Sequence, residues 1–142
     1  DTLRNIERIN FKDSNVALDL EGNAGKTVKL LSALLGAEDS LNPAYVGMGL
    51  SALDSGMSYG ALMKAGLDFV LGSNPSSSSV VSLFYENLVG SPAPESLLEK
   101  YSELLDNGEL SSTDLGIAVA DHSLTAANIN LAGLSQTGIE YI

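Results

Sequence analysis

The stretch covering residues 15–36 constrains this fold most, because it changes from a strand pattern to a helix pattern with no intervening proline. Val16, Leu18 and Leu20 alternate with polar or small residues, as in a half-buried strand. The apolar spacing then lengthens to that of a helical face, and Gly36 can take the positive φ that ends many helices. We therefore expect β structure before this junction and mostly helix after it, with Leu18 and Leu20 buried against the first helix.

A short β-hairpin is predicted ahead of the first helix. Ile9 and Phe11 share one side of a short strand, and residues 12–14 (Lys-Asp-Ser) have the composition of a turn. Two short strands alone are marginally stable in water and need a further layer to pack on. We infer that residues 1–21 continue a β structure that begins upstream.

Helix start and stop residues divide the chain after residue 22 into successive helices. Three residues are typical of helix N-terminal caps: Asn42, which precedes a proline, Ser58 and Ser111. The serine-rich segment 73–79 is predicted to be a linker. A further short helix is expected over residues 125–134, and the segment after it shows no clear periodicity.

The helical region has an internal repeat. Residues 53–58 (LDSGMS) recur as residues 105–111 (LDNGELS) with one residue inserted, and both follow a helix, a glycine stop and a second helix. We predict a mainly α fold in which two tandem three-helix repeats form one helical bundle, preceded by the hairpin. The predicted helical domain spans residues 22–142, divided into repeat one (23–72), repeat two (76–122) and a tail (123–142).

The charge and composition of the chain exclude several classes of function. Seven basic against eighteen acidic residues give a formal charge of −11, which argues against nucleic acid or an anionic membrane as the partner. There is no cysteine, so disulfides, thiolate catalysis and cysteine zinc sites are excluded. No apolar run reaches the roughly 18 residues of a membrane span, so no transmembrane segment is expected.

No motif for catalysis emerges, and we expect no enzyme. Residues 22–27 (GNAGKT) suggest a phosphate-binding loop, but the first glycine of that motif would have to stand at Leu20. Lys26 is therefore expected to be solvated. His122, the only histidine, lies beside Asp121, but neighbours in sequence do not make a triad. Glu99 and Glu103 lie four residues apart, on the expected wet face of a helix.

Acidic residues in the β part suggest a calcium site. Asp1, Asp13 and Asp19, with Glu21 nearby, can contribute the oxygen ligands that calcium prefers. The segment 19–23 is too short and irregular for an EF-hand loop. Calcium is therefore the one metal that the sequence predicts, with Asp1, Asp13 and Asp19 as its candidate ligands.

Parts of the chain resemble secreted bacterial proteins. Residues 1–11 (DTLRNIERINF) resemble the stretch that closes a repeats-in-toxin (hemolysin-type) calcium β-roll. Residues 16–25 and the turn at 53–58 look like the helical domain of unknown function 4214, which often ends type I-secreted proteins of that kind. Residues 132–142 are similar to the C-termini of such proteins. Residues 29–31 (KLL) depart from the commoner pattern, which has an aromatic-containing segment there.

The resemblance implies a non-enzymatic C-terminal module, exported by the type I secretion machinery to the exterior or surface of a Gram-negative bacterium. Such a module would carry the secretion signal and aid folding or retention, with calcium bound mainly by upstream repeats. The alternative is a helical interaction module that binds a partner protein or a surface glycan. An exposed apolar patch would favour this alternative.

Overall fold

The computed structural model describes residues 6–142, and Asp1 lies outside that range. Within it the chain is mainly α-helical with a short antiparallel β-hairpin ahead of the helices, which confirms the predicted fold class. The described helices are α1 (Asn23–Leu35), α2 (Pro43–Asp54), α3 (Tyr59–Leu71), α4 (Ser77–Val89), α5 (Glu95–Asp106), α6 (Ser112–Ala120), α7 (Ser123–Asn128) and α8 (Leu131–Thr137).

The hairpin receives a third strand from a distant part of the sequence. Strands β1 (Arg8–Asn10) and β2 (Asn15–Ala17) pair antiparallel, and the backbone N–H of Phe11 closes the turn by donating to the carbonyl of Ser14 at 2.8 Å. Strand β3 (Ile139–Tyr141) pairs antiparallel with the other side of β2, giving the order β1-β2-β3. The segment without sequence periodicity therefore contains a strand of the sheet.

Helix α1 lies at the centre of the molecule, because it is buried on nearly every side. Its buried residues are Ala24, Gly25, Thr27, Val28, Leu30, Leu31, Ser32, Ala33 and Leu34. One side packs with α3, α4 and α6 around Phe84 and Met63, and the other packs with α2 and the sheet around Leu50 and Ile139. A helix with buried residues on most of its faces lies inside the core. The hairpin and the helices therefore share one core through α1.

The helix boundaries follow the predicted capping residues. The side-chain oxygen of Asn42 accepts from the N–H of Ala44 at 3.1 Å, and Ser58 Oγ and Ser111 Oγ accept from residues 61 and 114 at 3.1 and 3.0 Å. Each bond satisfies a donor that the first helical turn leaves unpaired. These short-range rules placed the starts of α2, α3 and α6 correctly.

The two sets of three helices have matching stop signals. Gly36 and Gly90, with φ of 86° and 84°, end α1 and α4. Gly56 and Gly108, with φ of 95° and 79°, stand in the turns before α3 and α6. A positive φ at these four positions suits glycine, which lacks a Cβ. Both halves thus share a glycine after their first helix and a glycine in the turn before their third helix, whereas α3 ends at Gly72 and α6 ends at Asp121.

The prediction that Leu18 is buried against the first helix is wrong. Leu18 is 38% exposed, and Leu20 is half-buried, whereas Ala17 is fully buried. Ala17 lies opposite the buried Ile139 in the sheet, so this residue, and not Leu18, occupies the inward position of β2. Because successive strand residues point to opposite faces, a shift of one residue reverses the predicted pattern.

Two further segments differ from the prediction. Ser77 and the serines after it form the first turn of α4, capped by Ser76 Oγ, so the linker between the two halves is shorter than predicted. The helix expected over residues 125–134 is two helices, because Asn130 adopts the left-handed conformation with φ of 51° and interrupts it. Asparagine tolerates this conformation better than most residues.

Candidate functional site

An apolar groove of about 320 Å³ lies between α2 and α3. Its floor is α1, whose Thr27, Leu30 and Leu34 are almost completely buried. We call it the apolar groove; its lining is Thr27, Leu30, Leu31, Leu34, Leu35, Tyr45, Met48, Gly49, Ala52, Met57, Leu62, Ala65, Gly66, Phe69 and Val70. The volume falls in the range of sites that bind small molecules or anchoring side chains.

Large exposed apolar side chains surround the groove. Met48 on α2 is 67% exposed and Phe69 on α3 is 71% exposed, while Met57 in the turn between these helices is 44% exposed. Tyr45 and Phe69 meet edge to face across the groove with ring centroids 6.5 Å apart. Flexible methionines together with aromatic rings are typical of surfaces that bind apolar partners.

Glycines bring both walls close to the floor. A Cβ on Gly49 would lie 2.6 Å from Thr27 Cγ2, and a Cβ on Gly66 would overlap Leu34 Cδ1. Neither glycine has a positive φ, so the requirement is close helix approach and not an unusual backbone conformation. Gly49 and Gly66 therefore let α2 and α3 pack closely against α1. The larger side chains on either side of these glycines form the walls of the groove.

The groove offers apolar contact and almost no polar chemistry. None of the described residues that line it is charged. Thr27 Oγ1 donates to the carbonyl of Asn23 at 2.7 Å, so that hydroxyl is already engaged inside α1. Tyr45 contributes the other polar side-chain group of the lining, a phenol hydroxyl. The lining is therefore suited mainly to apolar contact.

Two of the three candidate calcium ligands lie among the described residues. Asp13 is exposed in the hairpin turn, and Asp1 lies outside the described residues. Asp19 forms an ion pair with Arg8, and its Oδ2 also accepts from the N–H of Ala24 at 3.1 Å. Within residues 6–142 no three His, Cys, Asp or Glu residues form a group able to hold a metal ion. The calcium site, which includes Asp1, therefore stays a prediction.

Arg8 links the hairpin to the helices. Besides Asp19, it contacts Asp54 at the end of α2 at 3.3 Å, and Asn23 Nδ2 donates to the same carboxylate at 2.8 Å. The Asp19 side chain also accepts from the first turn of α1, as an N-capping side chain does. Arg8, Asp19 and Asp54 thus join β1, the start of α1 and the end of α2.

Replacing Asp19 with alanine is expected to lower the free energy of unfolding by about 2 kcal/mol, because the change removes a helix-capping acceptor and leaves Arg8 without its nearest partner. The matched control is Asp13→Ala, an exposed position in the hairpin turn, which should change stability by less than about 0.5 kcal/mol. Urea denaturation measures both. Equal effects at the two positions would contradict a structural role for Asp19.

The residues considered for catalysis have structural roles. His122 caps α7, with Nδ1 accepting from the N–H of Leu124 at 3.0 Å, and Asp121 forms an ion pair with Lys29 at 3.4 Å. Lys26 is exposed, as predicted. Gly25 is needed because a Cβ there would overlap the carbonyl oxygen of Leu20. Close packing explains this glycine without any phosphate.

Tyr59 is a titratable side chain whose pKa the fold changes. Its hydroxyl donates to the carbonyl of Lys26 at 3.2 Å. Burial, and to a smaller extent the negative charge of Asp121, raise its pKa far above the ordinary value of 10.0. The folded chain therefore favours the neutral phenol.

The raised pKa predicts a loss of stability in alkali. Below about pH 10 the phenol of Tyr59 is neutral in both the folded and the unfolded state, so its contribution to stability is fully present. Above that pH the unfolded state loses the proton first, and the free energy of unfolding falls as the pH rises toward the folded pKa. Tyr59→Phe should remove that part of the pH dependence. Melting curves from pH 8 to 11 compare the two proteins, and identical slopes would contradict the assignment.

The sequence does not show the groove directly, because the apolar residues of α2 fall on two faces. Val46, Leu50 and Leu53 are buried in the core, whereas Tyr45 and Met48 line the groove. A second set of apolar residues on the same helix, at positions 45, 48 and 52, was the available signal. Two apolar faces on one helix indicate that it has contacts on more than one side.

No family model, curated protein or solved structure matches this chain. Among the described residues, no helix combines the length and apolar character needed to cross a bilayer. The groove and its surroundings are therefore the basis for a functional proposal.

Proposed function

We propose that this chain is a non-enzymatic interaction module that holds apolar side chains of a partner protein in the groove between α2 and α3. The observation that supports this most is the uncharged groove of about 320 Å³, surrounded by the exposed Met48, Met57 and Phe69. Exposed apolar surface is costly in water, and a concentration of it on one face is typical of binding sites. A surface glycan is a less suitable occupant, because a sugar needs polar partners that the groove does not offer.

Filling the groove provides the test. Ala52→Leu combined with Ala65→Leu adds bulk at two half-exposed or exposed wall positions and should leave the core intact. Peptides selected from a displayed random library against the folded chain should bind this variant at least about tenfold more weakly, a loss of about 1.4 kcal/mol. Selected peptides that bind both proteins equally would reject the groove as the site. Unchanged melting of the variant serves as the control for folding.

The second candidate is the C-terminal module of an extracellular repeats-in-toxin protein, serving type I secretion and folding or retention at the cell surface. It rests on the resemblance described above. The pairing of β3 with the hairpin favours a folding role, because it fastens the hairpin to the helical bundle. This second candidate function includes calcium binding. A chain that includes upstream repeats should melt at a higher temperature with added calcium if Asp1 and Asp13 are ligands.

Deleting residues 126–142 from the secreted protein should abolish its export if the secretion signal lies there. The deletion also removes the buried Ile129 and Ile139, so loss of folding must be separated from loss of the signal. Ile139→Asp is the matched control, since it disturbs the sheet but keeps the rest of the segment. Export of the point variant but not of the truncated chain supports the signal; normal export of the truncated chain would defeat it.

A further inference from the structure

We infer that the groove is built for a helical segment of a partner protein, with large apolar side chains two turns apart and lysine or arginine beyond one end. This inference rests on the proposed function and adds the shape and charge of the partner. It follows from the length of the groove and from the acidic residues beside one of its ends.

The length of the groove matches two turns of helix. Its floor runs along α1 from Thr27 to Leu35, which corresponds to about 12 Å of helix axis. Residues i and i+7 of a bound helix lie about 10 Å apart along its axis, so apolar anchors at i, i+3 or i+4, and i+7 fit between the ends. The Tyr45–Phe69 pair lies at one end and Met57 at the other. A longer series of anchors would exceed this length.

Two exposed acidic residues lie near the Tyr45 end of the groove. Glu38 and Asp39 are exposed in the connection from α1 to α2, three and four residues after Leu35, which lines the groove. Neither carboxylate forms an ion pair within residues 6–142. Three residues of chain span at most about 11 Å, close to the Debye length of about 10 Å at 0.1 M salt. A cation of the partner at this end is therefore attracted.

The end of the groove near Met57 differs from the Tyr45 end in its ion pairs. There Asp54 is already paired with Arg8 at 3.3 Å and bonded to Asn23. On the α3 wall, Asp68 is paired with Lys64 at 2.9 Å. Among the described carboxylates closest in sequence to the groove lining, those of Glu38 and Asp39 are thus unpaired and those of Asp54 and Asp68 are paired, which favours one orientation of a segment that is basic beyond one end.

A second copy of this chain is a poor occupant. Each copy carries a formal charge of −11, so two copies repel each other on approach. A free acyl chain suits the apolar lining but would leave Glu38 and Asp39 without a role. Both occupants are outcomes of the experiment that follows.

The test uses three synthetic amphipathic peptides with identical leucine anchors at i, i+3 and i+7 and two flanking residues that are lysine, glutamine or glutamate. At low salt the lysine peptide should bind about fivefold to tenfold more tightly than the glutamine peptide, and the glutamate peptide more weakly still. Raising the salt to about 1 M should remove the differences, because the Debye length falls to about 3 Å.

Charge variants test which residues cause the preference for the lysine peptide. Glu38→Gln with Asp39→Asn should abolish the advantage of the lysine peptide. The matched control is Glu99→Gln with Glu103→Gln, which removes the same charge from exposed positions on α5, a helix that does not line the groove. The control variant should keep the advantage of the lysine peptide over the glutamine peptide. If both variants lose this advantage, net charge alone attracts the peptide and the inference is overturned.

The outcomes separate this inference from the proposed function. Equal binding of the lysine and glutamine peptides, with both weakened by Ala52→Leu and Ala65→Leu, rejects the charge requirement and leaves the groove as a binding site. No binding of any peptide that depends on the groove rejects both. Light scattering that shows a dimer dissociated by the filled groove, or native mass spectrometry that shows a bound lipid, would assign another occupant and overturn the inference.

Discussion

Gly25→Ala should lower the free energy of unfolding by about 3 kcal/mol or more, a large part of the stability of a domain of this size. Gly25 is buried in the first turn of α1, and a Cβ there would overlap the carbonyl oxygen and carbonyl carbon of Leu20. These are backbone atoms, so no rotation of a side chain relieves the overlap. The segment 18–22 or the start of α1 must move instead, although both belong to the junction between the sheet and the central helix.

Gly60→Ala is the matched control for this experiment. Gly60 lies in the first turn of α3, where a new Cβ would meet only Thr113 Cγ2 at 3.5 Å, an ordinary contact. Because alanine favours helix over glycine, the change should raise stability by up to about 1 kcal/mol. Urea denaturation followed by far-UV circular dichroism compares the variants. A Gly25→Ala protein as stable as Gly60→Ala would contradict the close approach of Leu20.

Phe84→Ala should cost about 3–5 kcal/mol, whereas Phe69→Ala should cost little stability and weaken binding. Phe84 is 1% exposed in the core between α1, α3, α4 and α6, so its removal leaves a cavity that its neighbours fill only partly. Phe69 is 71% exposed at the edge of the apolar groove, where loss of the ring exposes no core. The same substitution thus separates a residue of the core from a residue of the proposed site.

Two measurements are needed for this pair. Denaturation gives the stability of each variant, and titration with the lysine-flanked peptide gives the affinity of Phe69→Ala. Comparable loss of stability at both positions would mean that Phe69 belongs to the core. Unchanged affinity of the Phe69→Ala protein would remove this ring from the binding site.

Much of the fold could be predicted because it depends on residues close together in sequence. Asn42, Ser58 and Ser111 each bond to a backbone N–H two or three residues away, so their capping roles are visible in the sequence. The glycines at the ends of α1 and α4 likewise affect only the backbone next to them. The order of helices and the hairpin turn followed from such signals.

The sheet and the groove depend on distant residues and could not be predicted in the same way. Which residue of β2 faces inward is decided by pairing with β3, so Leu18 was assigned to the wrong face. The groove depends on how far apart α2 and α3 stand on α1. Gly49 and Gly66 set the approach of these helices to α1, and nothing next to those glycines in the sequence shows what lies beneath them.

The pairing of Ala17 with Ile139 has a consequence for the order of folding. Bringing these residues together from an unfolded chain closes a loop of 122 residues, at an entropic cost on the order of 4 kcal/mol. Prior formation of the helices shortens this loop, so the helical bundle should assemble before β3 joins the sheet. In hydrogen exchange, the amides of β3 should then open before those of α1 and α4.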